Sequence, residues 1–402
     1  MSSFESSLEQ TLQDLRNANL YRIVRPVDSP QGTRIQIGDR WVLNLSSNDY
    51  LGLANHPVVK QAAIDAIENY GAGSGASRLI CGSLRPHHDL EEALAQFKQT
   101  EAALVFSSGY VAAVGTICAL LGRGDVVILD KLVHASIVDA ARLSGAKLRV
   151  FAHNDLGELE DILKWVSAGN RSNGQNKALI VTETVFSMDG DVAPLRELVA
   201  LKEKSGAWLM VDEAHATGIC GPRGAGIAAK AGLSDRIEIQ MGTLGKALGA
   251  AGGYVGGSRR LVDLLINRAR SFLFSTAPVP AATAAAAAAL SIVQCPEGEA
   301  RREAMCKRVM QLRNILHGID SPRQESAIVP LIVGDEATAI GHANAFMERG
   351  IFVPAIRYPS VALGQARLRF TVTADHTDED LKAVAVVTAT VRENKIPMAG
   401  CA

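Results

Sequence analysis

The chain has 402 residues, room for about two or three domains at ~150 residues each. Its 41 Lys and Arg against 42 Asp and Glu give a net charge of −1, which excludes a basic nucleic-acid footprint and gives no support for a polybasic membrane-surface module. Hydrophobic residues at 48% and charged residues at 21% describe a chain that buries a large core and exclude wholesale disorder.

Residues 1–25 predict an amphipathic helix, with Leu8, Leu12 and Leu15 at helical spacing, running into an Arg- and Pro-containing connector. The polar stretch to Asn19 shows no secretory signal. Arg34 to Leu45 alternates as a short hairpin. Helices are expected over 58–70 and 85–99, with the glycine-rich Gly71 to Gly75 between them. Six short runs then alternate with helical stretches: 103–106, 126–129, 148–151, 178–181, 208–211 and 237–241. Four are wholly apolar and read as strands buried on both faces of a mostly parallel sheet. The third and sixth carry polar residues and are expected nearer an edge. The alanine run between Ser271 and Val293 is interrupted by Pro278 and Pro280, so it reads as a close-packed helix and not a membrane span.

From Cys295 onward the pattern predicts a smaller α+β domain. Helices are expected over 301–315, 337–349 and after Asp378, and strands over 328–333, 351–354 and 367–373. The chain therefore divides into an N-terminal arm and hairpin (1–52), a large domain (53–292) and a small C-terminal domain (293–402). Cysteines 81, 118, 220, 295, 306 and 401 have no paired or zinc-like spacing and read as free thiols in a reducing cytoplasmic compartment.

Parallel sheets place ligands at the carboxyl ends of their strands. One run delivers Asp212 and then His215; another delivers Thr243 and then Lys246 in a small-residue turn. A partly desolvated lysine is a nucleophile toward carbonyls, and a buried aspartate holds a pyridinium nitrogen protonated. Together they point to pyridoxal phosphate. Ser108, Gly109 and Tyr110 open a helix whose N-terminal amides suit a phosphate. His134 follows another strand end and suits stacking on a planar cofactor. Ser187 lies in a tight turn where Asp189 and Asp191 hint at calcium, but the remaining ligand positions of a calcium loop are missing and no metal is expected. Arg367 and Arg369 share a strand face, and either suits a carboxylate clamp.

Asn44-Leu-Ser-Ser-Asn48-Asp-Tyr-Leu-Gly-Leu53, Gly73-Ser-Gly-Ala-Ser-Arg78, His87-x-x-Leu-Glu91, Thr182-Glu-Thr-Val-Phe-Ser187-Met-Asp-Gly-Asp191, Val211-Asp-Glu-Ala-His215-x-Thr-Gly218, Thr243-x-Gly-Lys246 and Arg367-Leu-Arg369 together resemble the α-oxoamine synthases over nearly the whole chain. The resemblance implies an aspartate-aminotransferase-like fold (pyridoxal-phosphate fold type I), a homodimer, and condensation of an amino acid with an acyl thioester, in most members with loss of CO2. It implies that Lys246 binds the cofactor covalently and moves the α-proton, and that Asp212 pairs with the ring nitrogen. His134 would stack on the ring and His215 would meet its phenolic oxygen. Gly109, Tyr110 and Thr243, with Ser108, would hold the phosphate, and Ser187 would seat the cofactor. Asn48 and Arg369 would bind the amino acid's carboxylate, and Arg22 and Ser360 would lie near the acyl substrate. The wording is nearest the members that use L-alanine and a pimeloyl thioester, with glycine and acetyl-CoA as the alternative pair. Where those pimeloyl-using members read Arg-Pro-Pro-Thr, this chain has Arg357-Tyr-Pro-Ser360.

Overall fold

The computed structural model describes residues 2–169, 177–318 and 326–393. The first helix, Ser3–Asn17, is capped by Ser2 and buries none of its residues. The expected hairpin is β1 (Arg34–Ile37) and β2 (Arg40–Asn44), turned at Gly38, whose φ of 59° favours a residue without Cβ.

The six short runs form β3 (Ala102–Phe106), β4 (Val126–Asp130), β5 (Lys147–Phe151), β6 (Ala178–Glu183), β7 (Trp208–Asp212) and β8 (Ile239–Thr243). A strand that the sequence reading did not foresee, β9 (Gly253–Gly257), completes a seven-stranded sheet in the order β3-β9-β8-β7-β6-β4-β5. Only β9 runs antiparallel to its neighbours. The strand β5 lies at an edge, as its polar residues suggested, but β8 does not. Its polar Gln240 is fully buried, with the side-chain amide nitrogen donating to the Ser234 carbonyl at 3.1 Å, so polarity there marks an interior group and not an edge.

Val127, Leu129, Leu179, Val181 and Met210 pack with Ala112, Ala113 and Ile117 of the helix Gly109–Leu120. Each large side chain so buried contributes roughly 1.5–3 kcal/mol, which makes this layer a rigid base for the strand ends. The alanine run is the helix Pro280–Gln294, and its small side chains let it lie against the helices Pro57–Tyr70 and Arg85–Lys98.

The remaining strands are β10 (Ile328–Gly334), β11 (Ile351–Phe352), β12 (Ala355–Ile356) and β13 (Ala366–Thr371), with helices Glu336–Glu348 and Asp378–Glu393. They form one sheet in the order β10-β13-β12, and β11 pairs in parallel with β2. That pairing changes the expected division into three segments. The chain forms two compact units, residues 48–304 and a discontinuous unit of 1–47 with 305–402, because the exposed edge of the hairpin finds its backbone partner in β11.

Candidate active site

The strands β4, β6, β7 and β8 end in Asp130, Glu183, Asp212 and Thr243, so one edge of the large sheet gathers acidic and hydroxyl groups. Beyond β8, Lys246 Nζ lies 2.7 Å from His215 Nε2. The other ring nitrogen of His215 is 2.7 Å from the Tyr50 hydroxyl, which in turn lies 3.0 Å from Asn48 Oδ1. His215 reaches this position through the turn after β7, where the Ala214 N–H donates to Asp212 Oδ1 at 2.8 Å and the Glu213 N–H to the Met241 carbonyl at 2.7 Å. Glu213 is fully buried against Lys98 and accepts from the Ala228 N–H at 3.0 Å. Removing either charge of that pair would strand the other in the interior.

Glu183 and Asp212 are partners in register on β6 and β7, and both are buried. Burial pushes the Glu183 carboxyl up to about 8, with the Asp212 charge adding to the effect. Burial also raises Asp212, but Lys246, the Ala214 amide and His134 pull it back. Both carboxyls stay above their ordinary values, so the pair resists carrying two negative charges at once. The Ser187 N–H donates to Glu183 Oε2 at 3.0 Å, which ties the turn after β6 to this carboxyl.

His134 caps the helix Ala135–Ser144, its Nδ1 accepting from the Ser136 N–H at 3.2 Å. The residue stays exposed to solvent. Desolvation by the surrounding protein lowers its pKa more than the Asp212 charge raises it, so the imidazole is neutral near pH 7. Ser108 caps the helix Gly109–Leu120 by accepting from the Val111 N–H at 3.2 Å. A Cβ on Gly109 would lie 3.6 Å from Thr243 Cβ, so these two expected phosphate residues stand side by side. The Thr243 hydroxyl donates to the Gly252 carbonyl at 3.0 Å and accepts from the Gly245 N–H at 3.2 Å. The Tyr110 hydroxyl donates to Asp139 at 3.0 Å.

The unit 48–304 thus brings together Asn48, Ser108, Gly109, Tyr110, His134, Ser187, Asp212, His215, Thr243 and Lys246. Arg22, Ser360 and Arg369 belong to the other unit. There the Arg22 guanidinium donates to the Tyr358 carbonyl at 3.0 Å, and the Ser360 N–H donates to the Arg357 carbonyl at 3.0 Å. Both Arg367 and Arg369 are buried on β13, and the Arg367 Nε donates to the Gln365 carbonyl at 3.1 Å. Two residues went unassigned in the sequence reading. Tyr50 and Glu183 both stand inside quoted motifs, and in the structure Glu183 ends β6 just as Asp212 ends β7.

The donor set fits pyridoxal phosphate: a lysine amine, a buried carboxylate and a helix N-terminus facing small residues on one sheet edge. The family model for class I and II aminotransferases matches residues 40–387. An 8-amino-7-oxononanoate synthase of Geobacter sulfurreducens is 50% identical over 384 residues, covering 95% of this chain and 97% of that protein. Among solved structures, a serine palmitoyltransferase of Sphingomonas wittichii superposes with a TM-score of 0.88 at 30% identity, covering 98% of each chain. An 8-amino-7-oxononanoate synthase of Francisella tularensis superposes with a TM-score of 0.72 at 27% identity, over 88% of this chain and 98% of that one.

Proposed function

Because the chain belongs to the class I and II aminotransferase family, we propose that it is a pyridoxal-phosphate-dependent C-acyltransferase joining L-alanine to a pimeloyl thioester with loss of CO2, the reaction of an 8-amino-7-oxononanoate synthase. One arrangement carries this reading: the Lys246 amine, 2.7 Å from His215, beyond the strand next to the one that ends in the buried Asp212. When bound, pyridoxal phosphate supplies an aldehyde for amines and a ring that accepts electron pairs.

The chain's own groups supply the rest. Lys246 holds the cofactor and then takes and returns the proton at the amino acid's α-carbon. Asp212, paired in register with the buried Glu183, holds a proton on the ring nitrogen. His215 orients the Lys246 amine, and His134 offers a neutral ring to stack. Ser108, Gly109, Tyr110 and Thr243 hold the phosphate at a helix N-terminus, and Ser187 seats the cofactor from the far strand end. Asn48 and Arg369 take the amino acid's carboxylate. Arg22 lies close enough to Arg357 that its charge lowers that guanidinium's pKa, behind the larger effect of burial. Such paired cations suit the distal carboxylate of a pimeloyl chain.

The new carbon–carbon bond forms between the amino acid's α-carbon and the thioester carbonyl, with the thiol and CO2 leaving. Thiol release with alanine plus pimeloyl-CoA, compared with glycine plus acetyl-CoA, tests the reading. Faster release with the second pair overturns the substrate assignment, and no visible absorbance change on adding L-alanine overturns the cofactor roles. Tyr358, half-exposed and bulkier than the proline of the pimeloyl-using relatives' motif, makes this comparison of acyl chains necessary.

A second copy of this chain is the partner we assign. The pairing of Ser77 with Thr276 brings together segments that expose Leu79, Ile80 and Phe274, an apolar patch suited to a homodimer. We place the enzyme in the cytoplasm, a reading supported by the free thiols of Cys81, Cys118, Cys220, Cys295 and Cys306. Cys401 lies outside the described residues. Among the described residues no helix is long and apolar enough to cross a membrane.

A further inference from the structure

Behind the site, three strand ends meet at one imidazole. His153, just past β5, faces Asp130 through Nδ1 at 3.0 and 3.3 Å and Asp191 through Nε2 at 2.7 Å. A carboxylate only accepts, so a ring whose two nitrogens each meet one must carry a proton on both. Asp130 is the last residue of β4 and also accepts from the Leu132 and Asn154 N–H groups at 2.8 and 2.9 Å. Asp191 closes the turn after β6: its carbonyl accepts from the Phe186 N–H at 2.9 Å, and its carboxylate also takes the Asn154 amide at 3.2 Å. The His153 ring stands edge-on to Phe186, with centroids 4.3 Å apart.

We propose that His153, held as an imidazolium between Asp130 and Asp191, is a positioning residue that fixes the two loops carrying His134 and Ser187. The first loop leaves β4 at Asp130 and reaches His134 four residues on. The second runs from Glu183 through Phe186 and Ser187 to Asp191. On its inner side the second loop is held by Glu183, which accepts from the Ser187 N–H. The imidazolium closes the outer side by joining both loops to a third strand end. Burial opposes its charge, but the hydrogen bonds to Asp130 and Asp191 outweigh that cost and hold the ring's pKa up to about 10. The cation therefore persists throughout the working pH range. The proposal rests on the cofactor reading above only for its consequence at the ring, because the loop geometry belongs to the chain alone.

The test uses His153→Gln, which keeps a hydrogen-bonding side chain without the charge, and Asp191→Asn, whose side chain is 39% exposed and least disturbs folding. Amide hydrogen exchange of the cofactor-free proteins is followed in peptides covering 132–136 and 185–191, with 239–246 as the internal control. We expect about tenfold faster exchange in the first two peptides and none in the control, the loss of roughly one charge-assisted hydrogen bond. The double variant should exchange no faster than either single one, since both cut the same link. In the holo proteins, the pyridoxal phosphate dissociation constant should rise about tenfold and the visible circular dichroism of the bound cofactor should change. Wild-type exchange in both variants, or acceleration spread equally to the control peptide, overturns the proposal. A wild-type protein that takes up no pyridoxal phosphate overturns the functional reading and leaves the exchange result to stand by itself.

Discussion

Lys246 and Glu183 carry the sharpest consequences of single side chains. Lys246→Ala should purify without covalently held cofactor and lose turnover by at least ~10³-fold, the scale of losing a positioned proton carrier. Borohydride trapping and peptide mapping check it, and an adduct on another residue would move the assignment. Glu183 governs stability against pH. Its folded-state pKa, about 8, lies above the ordinary 4.5, so the native chain holds a proton that the unfolded chain releases. This contribution is complete below pH 4.5 and is lost as pH rises through about 8. Glu183→Gln keeps the neutral shape and removes the titration. Denaturant midpoints of the cofactor-free variant should fall less than those of the wild type across that window, and parallel curves would refute the buried neutral acid. The grouping of the candidate site was largely legible in sequence, because Lys246, Asp212 and His215 are polar groups delivered by apolar strands. Glu183 was not assigned, since nothing in a one-dimensional pattern places it in register with Asp212.

Among the elements, β9 shows what pattern reading loses and why. Its sequence, Gly-Tyr-Val-Gly-Gly, carries three residues that ordinarily weaken a strand. The structure explains them by crowding. A Cβ on Gly253 would stand 2.5 Å from the Ser108 carbonyl oxygen and 2.6 Å from the Gly109 nitrogen, and a Cβ on Gly257 would stand 2.6 Å from the Glu238 carbonyl. Gly253 is required because the helix Gly109–Leu120 begins directly against it, and Gly257 because the Glu238 backbone does. Gly253→Ala should cost about 1–3 kcal/mol through overpacking and push that helix N-terminus aside. Thermal unfolding together with cofactor titration reads both effects; a fully stable variant with unchanged affinity would show that the backbone has slack there. The strand β8 was foreseen but expected nearer an edge, because its buried Gln240 looked like an edge residue until its hydrogen bond to Ser234 was visible. The strands β4, β6 and β7 were transparent, being mainly apolar runs with no such constraint.

For the whole molecule, the exposed patch of Ile80 and Phe274 predicts that the chain runs as a dimer in light scattering. Ile80→Asp with Phe274→Asp should shift it toward half that mass, because two buried charges without partners oppose association. A monomeric wild-type protein would sink the homodimer assignment. The sequence reading set the N-terminal hairpin apart as its own segment, and pattern alone had no means to link it to residues some three hundred positions away. In the fold, Leu43 and Asn44 of β2 pair with Ile351 and Phe352 of β11.

That distant pairing bears on how the polypeptide matures during synthesis. Residues 48–304 emerge as a contiguous stretch and hold their own sheet, so they are free to consolidate while translation continues. The opening forty-seven residues are made first yet completed last, waiting as an unsatisfied ribbon until the ribosome has delivered Ile351. A nascent chain halted before that point would carry a finished large sheet and a dangling leader, and proteolysis of stalled chains should clip the leader alone.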